Sequence, residues 1–153
     1  LVSEAGYFLS RVNVIKQTVA NVFAGLDSGL NHLIRPMFYD SYHHIVNATH
    51  PQGKNRVYTV VGYICETDTF GVDRKLAEGR EGDILAFHNA GAYGFSMASN
   101  FNARYRPAEV MTYQGRSYLI RQREDFQDLI ANQVVQSAFK PEEQPVPQEA
   151  PKA

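Results

Sequence analysis

Runs of β-branched and aromatic residues succeed one another along this chain without the regular strand-helix alternation that a doubly wound α/β sheet needs, and that order narrows the fold more than anything else in the sequence. Val57 to Ile64 is the strongest of them, and it delivers Cys65 and Glu66 at its end. Arg11 to Lys16 alternates, with Val12, Val14 and Lys16 on one face, and Val19 to Leu26 is a second extended run closed by Asp27-Ser28-Gly29. A charged turn over Glu78 to Gly82 leads to a strand at about Asp83 to His88. Ala108 to Tyr113 and Ser117 to Arg121 flank Gln114-Gly115-Arg116 as a hairpin.

Helical spacing is rarer. Leu1, Ala5, Phe8 and Leu9 predict a short helix over Leu1 to Ser10. Leu33, Ile34, Met37, Phe38 and Tyr42 predict an amphipathic helix from Leu30 to about Ile45, which forces Pro36 into its first turn. Phe126, Leu129 and Ile130 suggest one more short helix. The expected architecture is therefore mainly β, a sandwich or barrel with a few short covering helices. Residues 1–140 are expected to form one β domain, and the proline- and glutamate-rich residues 141–153 a mobile or extended tail. A chain of 153 residues suits a single core, since at that size folding buries roughly two thirds of the unfolded surface.

Charge and hydropathy limit the partners. Fifteen basic against sixteen acidic side chains leave no cationic field for a phosphate backbone, so nucleic acid is not expected as a partner. Apolar stretches are short, which argues against a membrane span, and the single cysteine, Cys65, fits a reducing compartment. A soluble, cytoplasmic protein is the expectation. The five histidines show no metal-ligand spacing, and no metal is expected.

Three groups of residues have chemical potential. Arg35 and Tyr39 are four positions apart, so on a helix both project from one face and can converge on a carboxylate; a surface arginine beside a core tyrosine is the plainer alternative. Cys65-Glu66 pairs a thiol able to deliver a proton with a carboxylate able to hold an ammonium, although for the pair taken alone a buried, inert cysteine beside an exposed glutamate is the plainer alternative. Asn89-Ala90-Gly91-Ala92-Tyr93-Gly94 suits close backbone approach to an anion, with the Tyr93 hydroxyl as a further donor, or else a plain turn.

Taken together, Asp27-Ser28-Gly29-Leu30-Asn31, Leu33-Ile34-Arg35-Pro36-x-x-Tyr39, Cys65-Glu66-Thr67-Asp68, Asn89-Ala90-Gly91-Ala92-Tyr93, Ser99-Asn100-Phe101-Asn102 and Arg106-Pro107-Ala108-Glu109-Val110 resemble, in order and spacing, the diaminopimelate decarboxylases among the fold-type III pyridoxal-phosphate enzymes. The resemblance runs from Leu1 to about Ile130. It implies a carboxy-terminal β domain packed on an amino-terminal α/β barrel that supplies the cofactor-holding lysine and a Glu-Pro-Gly-Arg motif. Neither is present here, and Leu1-Val2-Ser3-Glu4-Ala5-Gly6 resembles the residues just after that motif, so the sequence is expected to be the carboxy-terminal portion of such an enzyme, with 1–10 a remnant of the junction.

By the same resemblance Arg35 and Tyr39 bind the distal carboxylate of the substrate, Glu66 meets its distal amino group, Cys65 protonates the α-carbon, and Tyr93 lies at the cofactor phosphate and the substrate. Cys65 and Glu66 are expected to serve the active site of the neighbouring subunit in a homodimer. The implied reaction converts meso-2,6-diaminopimelate to L-lysine and carbon dioxide. An ornithine, lysine or arginine decarboxylase is the alternative, and a noncatalytic dimerisation domain is the alternative for the isolated chain, which is expected to be inactive without the lysine. Many members have Cys-Glu-Ser-Gly-Asp where this chain has Cys65-Glu66-Thr67-Asp68-Thr69, which leaves the role of Asp68 open.

Overall fold

The computed structural model describes residues 2–134 and residue 136. Among these residues eight strands form two sheets: β1 (Phe8–Gln17), β2 (Val22–Leu26), β3 (Ile45–Asn47), β4 (Asn55–Val61), β5 (Thr69–Ala77) and β6 (Ile84–Phe87) in one, and β7 (Glu109–Tyr113) with β8 (Arg116–Arg121) in the other. The six-stranded sheet has the order β3-β6-β1-β2-β4-β5, and its edge strands β3 and β5 approach each other, so it curls into a nearly closed barrel. The mainly β expectation is met.

β1 organises this sheet. Phe8 to Arg11 pair with β6, and from Val12 to Gln17 the strand pairs with β2 instead, with a bulge between Val12 and Val14 at the changeover. β2 and β4 are parallel, while every other pairing is antiparallel. Side chains facing inward meet in one cluster that includes Val12, Leu26, Leu33, Tyr58, Val60, Phe70, Leu85 and Phe87. Phe8, Phe70 and Phe87 pack as an aromatic triad with ring centroids 5.0–6.2 Å apart. Full burial of each such side chain is worth roughly 1.5–3 kcal/mol.

Several expected boundaries move, each for a physical reason. The helix over Leu1 to Ser10 shrinks to a 3-10 turn at Ser3–Ala5, because Phe8 and Leu9 are taken up by pairing with Phe87 and Ala86. The helix from Leu30 to Ile45 is only α1 (Arg35–Tyr39). Pro36 stands in its first turn as expected, but Asp40 adopts a left-handed conformation (φ 51°) that ends the helix, and Ile45 joins β3. His43 and His44 accordingly lie in the α1–β3 connection rather than on a helix.

The strand expected from Val57 to Ile64 begins at Asn55 and stops at Val61, so Cys65 and Glu66 sit in the β4–β5 loop rather than at a strand end. Residues 69–77, which show no clear strand pattern in sequence, form β5. The 108–121 hairpin turns through Gln114 and Gly115, both at positive φ, the geometry of a two-residue hairpin loop. α2 (Phe126–Ile130) starts at a capping box in which Asp125 and Asp128 exchange backbone bonds. The tail expected over 141–153 lies outside the described residues.

Candidate active site

The approach to α1 is built from the Asp27-Ser28-Gly29-Leu30-Asn31 segment, and its side chains serve the scaffold. Asp27 accepts from the Ser10 hydroxyl at 2.7 Å and from the Arg11 amide at 2.8 Å, tying the end of β2 to β1. Asn31, fully buried, accepts from the Tyr63 hydroxyl at 3.1 Å, and its carbonyl accepts from the Ser99 amide. His32 Nε2 lies 2.8 Å from the Tyr105 carbonyl, so that nitrogen carries the hydrogen and Nδ1 accepts from Ser28 Oγ, also at 2.8 Å. Burial lowers the His32 pKa against the effect of the Tyr105 bond, which keeps the ring neutral near pH 7.

On α1 the Arg35 and Tyr39 side chains lie beside each other, as their four-residue spacing requires. The Arg35 guanidinium carbon is 5.8 Å from the centre of the Tyr39 ring and 5.4 Å from that of Tyr93, and one of its nitrogens donates to Ser41 Oγ at 3.3 Å. None of the ion pairs among the described residues uses Arg35. A half-buried cation between two half-exposed phenols, with its fork free of carboxylates, is suited to receiving one.

Tyr93 reaches this place by an unusual backbone. It has φ 61°, a conformation that bulky residues seldom adopt. Two of the small residues before it pack against the chain: the amides of Ala90 and Gly91 donate to the carbonyls of Gly6 and Ser3 at 2.9 and 3.0 Å, and a side chain on Gly91 would strike this N-terminal turn. The close approach is therefore to the chain itself. The Tyr93 side chain is 61% exposed and open to a ligand.

Cys65 and Glu66 form a second group. The Cys65 thiol donates to Glu66 Oε2 at 3.2 Å, and the Asn102 amide donates to the same oxygen at 3.2 Å. The bond to Glu66, reinforced by its charge, raises the thiol pKa; the same bond lowers that of Glu66, with Asn102 contributing. The thiol is thus held protonated and the carboxylate ionised near neutral pH, the states that a proton donor and an ammonium acceptor need. No hydrogen bond or ring contact among the described residues joins this group to Arg35, Tyr39 and Tyr93.

The sequence assigns no role to three residues that support these groups. Ser41 holds the Arg35 fork and Asn102 holds Glu66, both through polar contacts across turns that no periodicity announces. Asp68, left open above, is buried and bonded to the backbone of two loops. Groups of three or more histidine, cysteine or acidic side chains placed to hold a metal are absent among the described residues. No helix there is long and apolar enough to cross a membrane.

The described part of the chain is a curled, mainly antiparallel sheet that carries an arginine-tyrosine cluster at α1 and a thiol-carboxylate pair in the β4–β5 loop. The chain belongs to the family described as pyridoxal-dependent decarboxylase, C-terminal sheet domain, whose model matches residues 1–91. It is 48% identical over 137 residues to the diaminopimelate decarboxylase of Methanothermobacter thermautotrophicus, covering 88% of this chain and 32% of the relative. It is similarly 42% identical over 132 residues to that of Vibrio cholerae, covering 86% and 31%.

The crystal structure of the Methanocaldococcus jannaschii diaminopimelate decarboxylase in complex with L-lysine superposes with a TM-score of 0.85 at 42% identity, over 90% of this chain and 32% of that one. The chain thus spans about a third of the length of the relatives it matches. Of the pyridoxal cofactor in the family's name, the residues here fit only an edge: the Tyr93 hydroxyl makes no hydrogen bond among the described residues, the Ala90 and Gly91 amides are occupied, and neither group contains a lysine.

Proposed function

We propose that this chain is the carboxy-terminal part of a pyridoxal-phosphate-dependent diaminopimelate decarboxylase, which converts meso-2,6-diaminopimelate to L-lysine and carbon dioxide. The observation that carries the reading is the Arg35 fork, flanked by Tyr39 and Tyr93 and without a carboxylate partner among the described residues. Residues 1–140 serve as the β domain and dock on an amino-terminal α/β barrel that carries the cofactor. The enzyme works in the cytoplasm as a homodimer. Cys65 and Glu66 act in the neighbouring subunit's site; their exposure and separation from the Arg35 group favour that division.

Each side chain has a defined task. Arg35 takes the distal carboxylate of the substrate in two parallel hydrogen bonds, and the Tyr39 and Tyr93 rings keep the guanidinium plane from swinging into water. Glu66, ionised, holds the distal ammonium. Bound pyridoxal phosphate supplies the electron sink for loss of the α-carboxylate. Tyr93 presents its hydroxyl to the cofactor phosphate and substrate, and Cys65, kept protonated by Glu66, delivers a proton to the α-carbon. Lysine lacks the distal carboxylate and would leave the Arg35 fork empty. Because Arg35 is half-buried, solvent softens that penalty to about 1.5–3 kcal/mol, or ~10–100-fold in specificity.

Carbon dioxide release by the full-length protein from diaminopimelate, lysine, ornithine and arginine tests this directly. Release from diaminopimelate at least tenfold faster than from the other three is expected. Preference for ornithine or lysine would assign the protein to the basic amino-acid decarboxylases instead.

A further inference from the structure

The turn leading into α1 and the loop carrying Cys65 and Glu66 are joined through one buried carboxylate. Asp68 is 6% exposed; its Oδ1 accepts from the Leu30 amide at 2.6 Å and its Oδ2 from the Ile64 amide at 2.9 Å. Its carbonyl accepts from the Gly62 amide at 2.7 Å, and the Tyr63 amide donates across the same seam to Ser28 at 2.9 Å. Two glycines make room for it: a Cβ on Gly29 would stand 2.6 Å from Oδ2, and one on Gly62 would overlap the carboxylate.

Among the described residues no cation pairs with Asp68. Burial raises its pKa, and the two backbone donors oppose that shift. A buried, unpaired carboxylate is a costly choice for a loop, and its distinctive property is two acceptor oxygens. An asparagine would satisfy one of the two amides and turn an N–H toward the other.

We propose that Asp68 is a positioning residue that sets how the Cys65–Glu66 pair is presented relative to the helix bearing Arg35, by gripping the Leu30 and Ile64 amides with one oxygen each. Ile64 adjoins Cys65, and Leu30 opens the turn into α1, so movement of either loop is felt by the other. The catalytic sense of this role rests on the reading under Proposed function; the geometric coupling does not.

The test is the pH profile of Cys65 alkylation by iodoacetamide, followed on the Cys65 peptide by mass spectrometry in the full-length protein, for the wild type, Asp68→Asn and Gly62→Ala. Gly62→Ala displaces the carboxylate without altering charge. Both variants are expected to move the thiol midpoint down toward the ordinary range as Glu66 loses its register with the sulfur, with severalfold faster alkylation near neutral pH and a kcat on diaminopimelate lower by about tenfold or more. An unchanged midpoint in variants that remain folded overturns the proposal and leaves Asp68 a scaffold group. A shifted midpoint alongside a wild type that does not turn over diaminopimelate upholds the positioning role and overturns the substrate reading. If neither variant folds, the wild-type amide resonances decide: Cys65 titrating at acid pH together with Leu30 and Ile64 supports the coupling, and Cys65 standing still while they move overturns it.

Discussion

The Arg35 guanidinium lies 5.4 Å from the centre of the Tyr93 ring, so a residue of α1, which leads into β3, and a residue of the turn that follows β6 meet on one surface. At a partly exposed site such a ring steadies a cation by about 0.5–1 kcal/mol. Tyr93→Leu is therefore expected to raise the KM of the full-length enzyme for diaminopimelate roughly 2–5-fold by that route. Tyr93→Phe keeps the ring and loses the hydroxyl, so it should spare the Arg35 interaction and weaken cofactor affinity. Steady-state kinetics beside a pyridoxal-phosphate titration separates the two effects.

The Cys65–Glu66 bond gives a second prediction, in pH. The thiol pKa is raised because Glu66 accepts its hydrogen and repels the thiolate. Glu66→Gln removes the charge, so the alkylation midpoint of Cys65 should fall toward that of a free thiol and the rate near pH 8 should rise. A midpoint equal to that of the wild type would show that the 3.2 Å contact does not persist in solution.

Acid should loosen the strap that leads into the β7–β8 hairpin. Burial by itself would raise the Glu124 pKa, but bonds from the Arg106 side chain and backbone and from Asn100 outweigh it and hold the carboxyl at about 2 against an ordinary 4.5. A depressed folded pKa means that the stabilisation is fully present above about pH 4.5 and is lost as pH falls toward 2. The Arg106 side chain is 43% exposed and that of Glu124 15%, so solvent screens part of the pair. Glu124→Gln is expected to remove about 1–2 kcal/mol at pH 7 and much less at pH 3, as measured by urea unfolding at the two values.

What the sequence disclosed follows from the range over which each contact acts. β4 was legible because Val57, Tyr58 and Val60 declare an extended, half-buried segment by residue type alone. β5 was not, since Gly71 and the charged Asp73-Arg74-Lys75 interrupt its apolar positions, and only pairing with β4 and burial of Phe70 and Leu76 hold it extended. α1 was overextended in sequence because Leu33, Tyr42 and Ile45 share a helical spacing while belonging to a turn, a loop and a strand. The Arg35–Tyr39 pairing depended on one helical turn and survived that error. Asp68 could not be read, because its partner amides are backbone groups, one of them 38 positions away.

Discrimination by Arg35 is the most direct measurement of the account. In the full-length enzyme, the ratio of kcat/KM for diaminopimelate to that for lysine should collapse by ~10–100-fold in Arg35→Ala, with most of the change in KM for diaminopimelate. A ratio that stays at the wild-type value would contradict the assignment of Arg35 to the distal carboxylate and, with it, the substrate proposed for this protein.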